Sequence, residues 1–222
     1  MVYFSPLHHA EGGLLTPDLI NGLRQGGEIL VVGAGLGDIE RYLVHVGGVD
    51  PRCITAADVD LKEYPSELGV QKAEFNMLLP WPAQRTHYQY ILIPEALGMA
   101  VSWTSGDHSI DSKKIPLESL DRICEIAADI MNNGPRSVPA EEAHFFLSTV
   151  SYPGSRTHRS WSVIENALRS LAPEGQLRLN GHCLEMRSLA ALLLYADGCD
   201  IPVERVSFGR HSITFHRGRS DG

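Results

Sequence analysis

Residues Ile29-Leu30-Val31-Val32-Gly33-Ala34-Gly35-Leu36-Gly37-Asp38 pass from strand chemistry to tight-turn chemistry in a single step, and this junction restricts the fold more than any other stretch of the chain. Four bulky apolar residues favour a buried strand, and glycines at alternate positions permit backbone dihedrals that residues with a Cβ resist. Beyond the turn, Ile39, Leu43 and Val46 recur at helical spacing, so the segment predicts strand, turn and helix. A second strand is predicted over Cys53-Ile54-Thr55-Ala56-Ala57, closing on Asp58. Two parallel strands joined by a crossover helix carry the glycine turn and Asp58 to one edge of the sheet, where open α/β sheets bind ligands. A carboxylate there accepts both hydroxyl hydrogens of a ribose, which is the geometry of a nucleoside site.

A dinucleotide site is disfavoured. Its G-x-G-x-x-G pattern needs a third glycine where Asp38 stands, and that acid would face a pyrophosphate at the helix start. A ligand with a ribose and no phosphate fits the pattern better.

With these features the chain resembles the class I S-adenosylmethionine-dependent methyltransferases. Gly33-Ala34-Gly35-Leu36-Gly37 matches the first family motif, and Asp58 stands for the second-strand acid that holds the ribose hydroxyls. Asn76-Met77-Leu78-Leu79-Pro80-Trp81-Pro82 resembles the third motif, which flanks adenine. Tyr90-Ile91-Leu92-Ile93-Pro94 resembles the fourth strand, and Leu168-Arg169-Ser170-Leu171-Ala172-Pro173-Glu174-Gly175 the late helix and turn. The motifs keep the family order over residues 26–100 and 160–217. The resemblance implies an α/β Rossmann-like methyltransferase domain, with a mostly parallel seven-stranded sheet and a C-terminal antiparallel hairpin. It implies S-adenosyl-L-methionine as cofactor, with contacts from Gly33, Ala34, Gly35, Gly37, Asp58, Val59, Asn76, Met77 and Glu95. Two positions depart from the family: Val31 stands where an acid often precedes the first glycine, and Asn76 replaces the adenine-side acid. Asn76 keeps a carbonyl acceptor, whereas Val31 supplies no polar contact.

Residues 98–160 are long for a connection leaving the fourth strand, so a helical insert is expected there. Leu117, Leu120, Ile123, Ile126, Ala127 and Ile130 recur at helical spacing up to Asn133-Gly134-Pro135, and a second short helix is expected from Val138-Pro139-Ala140 onward. Trp103, His108, His144, Phe145, Phe146, Tyr152, His158 and Trp161 make this insert the candidate acceptor pocket; a satellite core or a subunit interface is the other reading of the same rings. Asp107-His108 and the Glu142/His144 pair have spacings that do not share a helix face, so no catalytic residue is assigned. Glu95, just beyond the fourth strand, is placed to approach substrate or the charged end of the cofactor.

Before the first strand, Thr16-Pro17-Asp18 predicts the start of a short helix ended by Gly26-Gly27, either a partial lid or simple packing on the sheet. After Gly175, Gln176-Leu177-Arg178-Leu179 predicts a fifth strand, Leu184 to Ala196 a helix, and Val203–Phe208 with Ser212–His216 a final hairpin. All 222 residues are read as a single domain, since no stretch resembles a linker.

The balance of 27 acids against 19 Lys plus Arg opposes indiscriminate binding to a polyphosphate backbone. A small organic acceptor is therefore expected. A methyltransferase acting on protein or nucleic acid is one alternative, and a noncatalytic binding or assembly protein that keeps the fold is another. Four widely spaced cysteines suggest ordinary thiols, and His8-His9 beside Glu11 lacks further ligand spacing, so no metal is expected. With no signal-like opening and no bilayer-length apolar run, the cytoplasm is the expected compartment, with no membrane partner and a homodimer left open.

Overall fold

A computed structural model describes residues 13–76, 81, 88–94, 117–150, 156–180, 186–199, 201, 203–209 and 212–219. Thr16 caps helix α1 (Pro17–Arg24), its hydroxyl accepting the Leu19 N–H at 3.3 Å. Strand β1 (Ile29–Val32) is buried at all four positions, as a central strand covered on both faces must be. Helix α2 (Asp38–Arg41) continues into a π-type turn, Tyr42–Val46. That wider turn changes the helical phase: Ile39 and Leu43 enter the core, but Val46, predicted to share their stripe, is 65% exposed, and Val49 is buried instead.

Strand β2 (Ile54–Asp58) starts one residue later than predicted, because Pro51–Cys53 form a tight helical turn capped by the Asp50 side chain. Strand β3 (Gln71–Glu74) pairs parallel with β2, from Thr55 opposite Gln71 to Asp58 opposite Glu74. It is followed by β4 (Tyr88–Ile93), α3 (Leu117–Asn133), α4 (Ala140–Val150) and α5 (Arg156–Ser170). Strand β5 (Leu171–Asn180) begins earlier than predicted: Leu171 pairs with Tyr88 and Gln176 with Tyr90, so the residues between them loop out around Glu174 at φ 62°. Helix α6 (Met186–Gly198) precedes β6 (Val203–Phe208) and β7 (Ser212–Arg217), the predicted hairpin. The Leu184 start predicted for α6 lies outside the described residues.

The sheet order is β3-β2-β1-β4-β5-β7-β6, with β7 antiparallel between β5 and β6. The sheet is thus mostly parallel and seven-stranded with a C-terminal antiparallel hairpin, as expected from the sequence. Succession reverses between β1 and β4, and open α/β sheets bind ligands at the carboxyl ends of the strands on either side of such a switch.

Helices cover both faces. On one, Leu30, Val32, Ile91, Ile93 and Leu177 meet Ile123, Ile126 and Ile130 of α3, Phe146 of α4, Ile164 of α5 and Leu189 of α6. On the other, Ile29, Val31, Ile54 and Leu92 meet Leu19 and Leu23 of α1 and Ile39 and Leu43 of α2. The described part of the insert therefore builds the main core. Its rings divide: Phe146 and Trp161 are buried, and Phe145 lies under the Arg122 guanidinium at 4.5 Å. Trp103, His108 and Tyr152 lie outside the described residues, as do His8, His9 and Glu11. Among the described residues, no helix is long and apolar enough to cross a membrane.

Candidate functional site

The turn after β1 is held by β2 and shaped by its glycines. Gly33 and Ala34 donate their N–H groups to the Ala57 carbonyl at 2.8 and 3.1 Å, and Gly37 N–H closes back on the Ala34 carbonyl at 2.9 Å. Gly33, Gly35 and Gly37 have φ of +79°, +53° and +78°, a region that costs an L-residue about 1–2 kcal/mol. A Cβ at Gly33 or Gly35 would meet no described atom within 4 Å. Among the described residues their backbone thus borders open space. Gly37 differs: a Cβ there would meet the Tyr64 ring at 3.1 Å, so this glycine serves internal packing as well.

Asp58, the last residue of β2, fastens the turn from the neighbouring strand. Its Oδ2 accepts the Gly35 N–H at 2.9 Å and its Oδ1 accepts the Val59 N–H at 2.6 Å. An ionised carboxylate has about four lone-pair sites, so two contacts leave acceptor capacity on both oxygens. Asp58 remains partly exposed and Val59 is 56% exposed, an apolar surface directly beside the carboxylate. Phe75 N–H donates to the Asp58 carbonyl at 3.1 Å, which brings the end of β3 and the following Asn76 alongside. The Phe75 ring in turn contacts Trp81 at 5.2 Å between centroids.

Of the residues expected at the cofactor, Gly33, Ala34, Gly35, Gly37, Asp58 and Val59 come together, and Asn76 stands at the adjoining strand end. Ala34 takes part through its backbone, since its side chain packs inward with Ala56, Leu61, Tyr64 and Leu68. Met77 and Glu95 lie outside the described residues. Val31 is fully buried, so its position offers the crevice no polar group. Among the described residues no cluster of three or more His, Cys, Asp or Glu has a metal-holding arrangement.

Two polar groups here are not evident from the sequence. Glu40 is 0% exposed, and neither carboxyl oxygen has a hydrogen-bond partner. Burial pushes its carboxyl up to about 8, with Asp38 and Asp58 adding like charge. The Tyr64 hydroxyl is likewise buried without a partner, and burial and Glu40 both push its phenol up. The signal available was an acid next to Ile39 and three before Leu43, where the apolar face of the helix had no room for a solvated group.

No family model and no curated protein matches the chain. Among solved structures it is similar to the N-methyltransferase NodS from Bradyrhizobium japonicum WM9, at 10% identity over 91% of this chain and 94% of that one, with a TM-score of 0.44. It is also similar to an rRNA methylase from Streptococcus thermophilus, at 12% identity over 99% and 100% of the two chains and a TM-score of 0.44. TrmN from Thermus thermophilus aligns at 15% identity with a TM-score of 0.45, over 93% of this chain and 49% of its own length.

Proposed function

We propose that this chain binds S-adenosylmethionine and transfers its methyl group to a small organic acceptor. The observation that carries the reading is the Asp58 carboxylate, fastened to the glycine turn through Gly35 and still rich in acceptor capacity at the crevice edge. The residues fit the cofactor. Gly33 and Gly35 leave space among the described residues where side chains would stand, Asp58 accepts ribose hydroxyls, and Asn76 at the end of the next strand is an amide of the kind that pairs with the exocyclic amine of adenine. Asp38 at the helix start favours a nucleoside without phosphate.

The cofactor supplies an electron-poor methyl on a sulfonium, so the chemistry asks the protein for alignment and exclusion of water rather than for a nucleophile. In this chain the glycine backbone and Asp58 fix the nucleoside end. Glu95, which follows β4 and Pro94 in sequence, is the residue we assign to the reacting end. A small acceptor is favoured over nucleic acid by the formal charge of -8.

Incubation with methyl-labelled cofactor and mixed acceptors, followed by fractionation, tests the reading. Label should enter the small-molecule fraction. Label confined to protein or RNA would redirect the acceptor assignment, and binding without any transfer would favour a noncatalytic protein of the same fold.

A further inference from the structure

Glu40 is the third residue of α2, the helix into which the glycine turn opens, and is sealed from solvent with both oxygens unpartnered. Buried polar groups in folded proteins are almost always satisfied, so an orphaned carboxyl three residues past the glycine turn calls for a reason. The groups that bear on it come from every neighbouring element. Asp38 and Arg41 share its helix, where they form an exposed pair at 3.5 Å. Asp58 stands at the end of β2. Tyr64, whose ring abuts Gly37, belongs to the connection between β2 and β3, and Lys72 of β3 donates to the Tyr64 carbonyl at 3.1 Å and sits 5.1 Å from its ring.

We propose that Glu40 is a positioning residue for Asp58: while its carboxyl holds a proton, Asp58 stays fastened to the Gly35 N–H, and loss of that proton sets a like charge against Asp58 and loosens the turn. A neutral carboxyl exerts no monopole repulsion on Asp58, so the 2.9 Å contact with Gly35 and the 2.6 Å contact with Val59 persist together. Among the described residues an ionised Glu40 has no cation sealed in beside it, since the Arg41 side chain is 44% exposed and already turned to Asp38. Repulsion in so poorly solvated a place is weakly screened; it falls on Asp38, which is paired with Arg41, and on Asp58, the one of the two whose carboxylate holds the Gly35 N–H. The consequence for ligand binding rests on the nucleoside reading above; the hold on Asp58 does not.

The test is a carbon- and nitrogen-detected NMR titration of the full chain between pH 6 and 9.5, run on wild type and Glu40→Gln. In wild type, the Asp58 carboxyl carbon and the Gly35 amide nitrogen should shift together with the Glu40 carboxyl carbon through one midpoint near pH 8. In Glu40→Gln, both signals should hold still. Calorimetry with S-adenosylhomocysteine should show wild-type affinity falling about tenfold more than the variant's from pH 6.5 to 9.5, the titration of the ligand's own amine being common to both. A Glu40 midpoint in the ordinary carboxylate range, a silent Asp58, or the same movement in Glu40→Gln would overturn the proposal. If the NMR midpoints coincide and no nucleoside binds at either pH, the positioning role stands and the proposed function falls.

Discussion

Asp58 Oδ2 accepts the Gly35 N–H at 2.9 Å, joining the end of β2 to the turn after β1 across 23 residues of sequence. Parallel pairing sets the strand ends level, Val32 opposite Ala57, and the turn then bends over Asp58. One side chain is thereby tied both to the fold and to the crevice.

The glycines of the turn should differ in what they tolerate. Gly33→Ala meets open space and should lose only the backbone term, about 1–2 kcal/mol. Gly37→Ala carries the same backbone strain and presses on the Tyr64 ring at 3.1 Å, so it should cost at least about 1 kcal/mol more. Urea unfolding of the two variants checks the ranking.

Glu40 should make stability depend on pH in a set direction. Its folded carboxyl is raised to about 8 from 4.5, so between those values the folded chain holds a proton that the unfolded chain has released. Stability from this group is complete below pH 4.5 and falls as pH rises toward 8. Relative to wild type, Glu40→Gln should gain about 1.4 kcal/mol per pH unit across that window. Denaturant unfolding at pH 5, 6.5 and 8 reads the gain, and a constant difference would contradict it.

Tyr64→Phe should be neutral or stabilising, because it removes a buried hydroxyl without a partner and keeps the ring against Gly37. A gain of up to about 1 kcal/mol is expected from the relieved desolvation. A loss larger than that would mean the hydroxyl has a partner in solution.

Arg178 should anchor α1 to the sheet. Buried on β5, it donates to Thr16 Oγ1 at 2.7 Å, to the Leu14 carbonyl at 3.3 Å and to Gln176 Oε1 at 2.7 Å. Arg178→Met keeps the apolar stem and orphans these acceptors, a loss of roughly 2–4 kcal/mol. Hydrogen exchange should quicken first in residues 17–24, ahead of β1.

Much of this architecture is legible in sequence where the signal is local and apolar. Ile29–Val32 with its glycines, the capped start at Thr16, the stripe of α3 and the final hairpin are read from spacing alone. Strand β3 was not, since Gln71-Lys72-Ala73-Glu74 has no bulky apolar residue and owes its place to pairing with β2. Val46 was misplaced because a π-type turn leaves no mark in a pattern of period 3.6. At the site, Asp58 follows from strand order, whereas Glu40 and Tyr64 do not. An acid on a helix and a tyrosine in a connection ordinarily face water, and only the packing of Tyr64 against Gly37 reveals that these two are enclosed.

The most direct measurement is calorimetric titration of the purified chain with S-adenosylhomocysteine, beside Asp58→Ala and Asp60→Ala, an exposed acid two residues away. Wild type and Asp60→Ala should bind alike, and Asp58→Ala should bind at least about tenfold more weakly, the loss of about 1.4 kcal/mol expected for hydrogen bonds to a charged group. Equal affinity in all three proteins, or no binding to wild type, would contradict the nucleoside site.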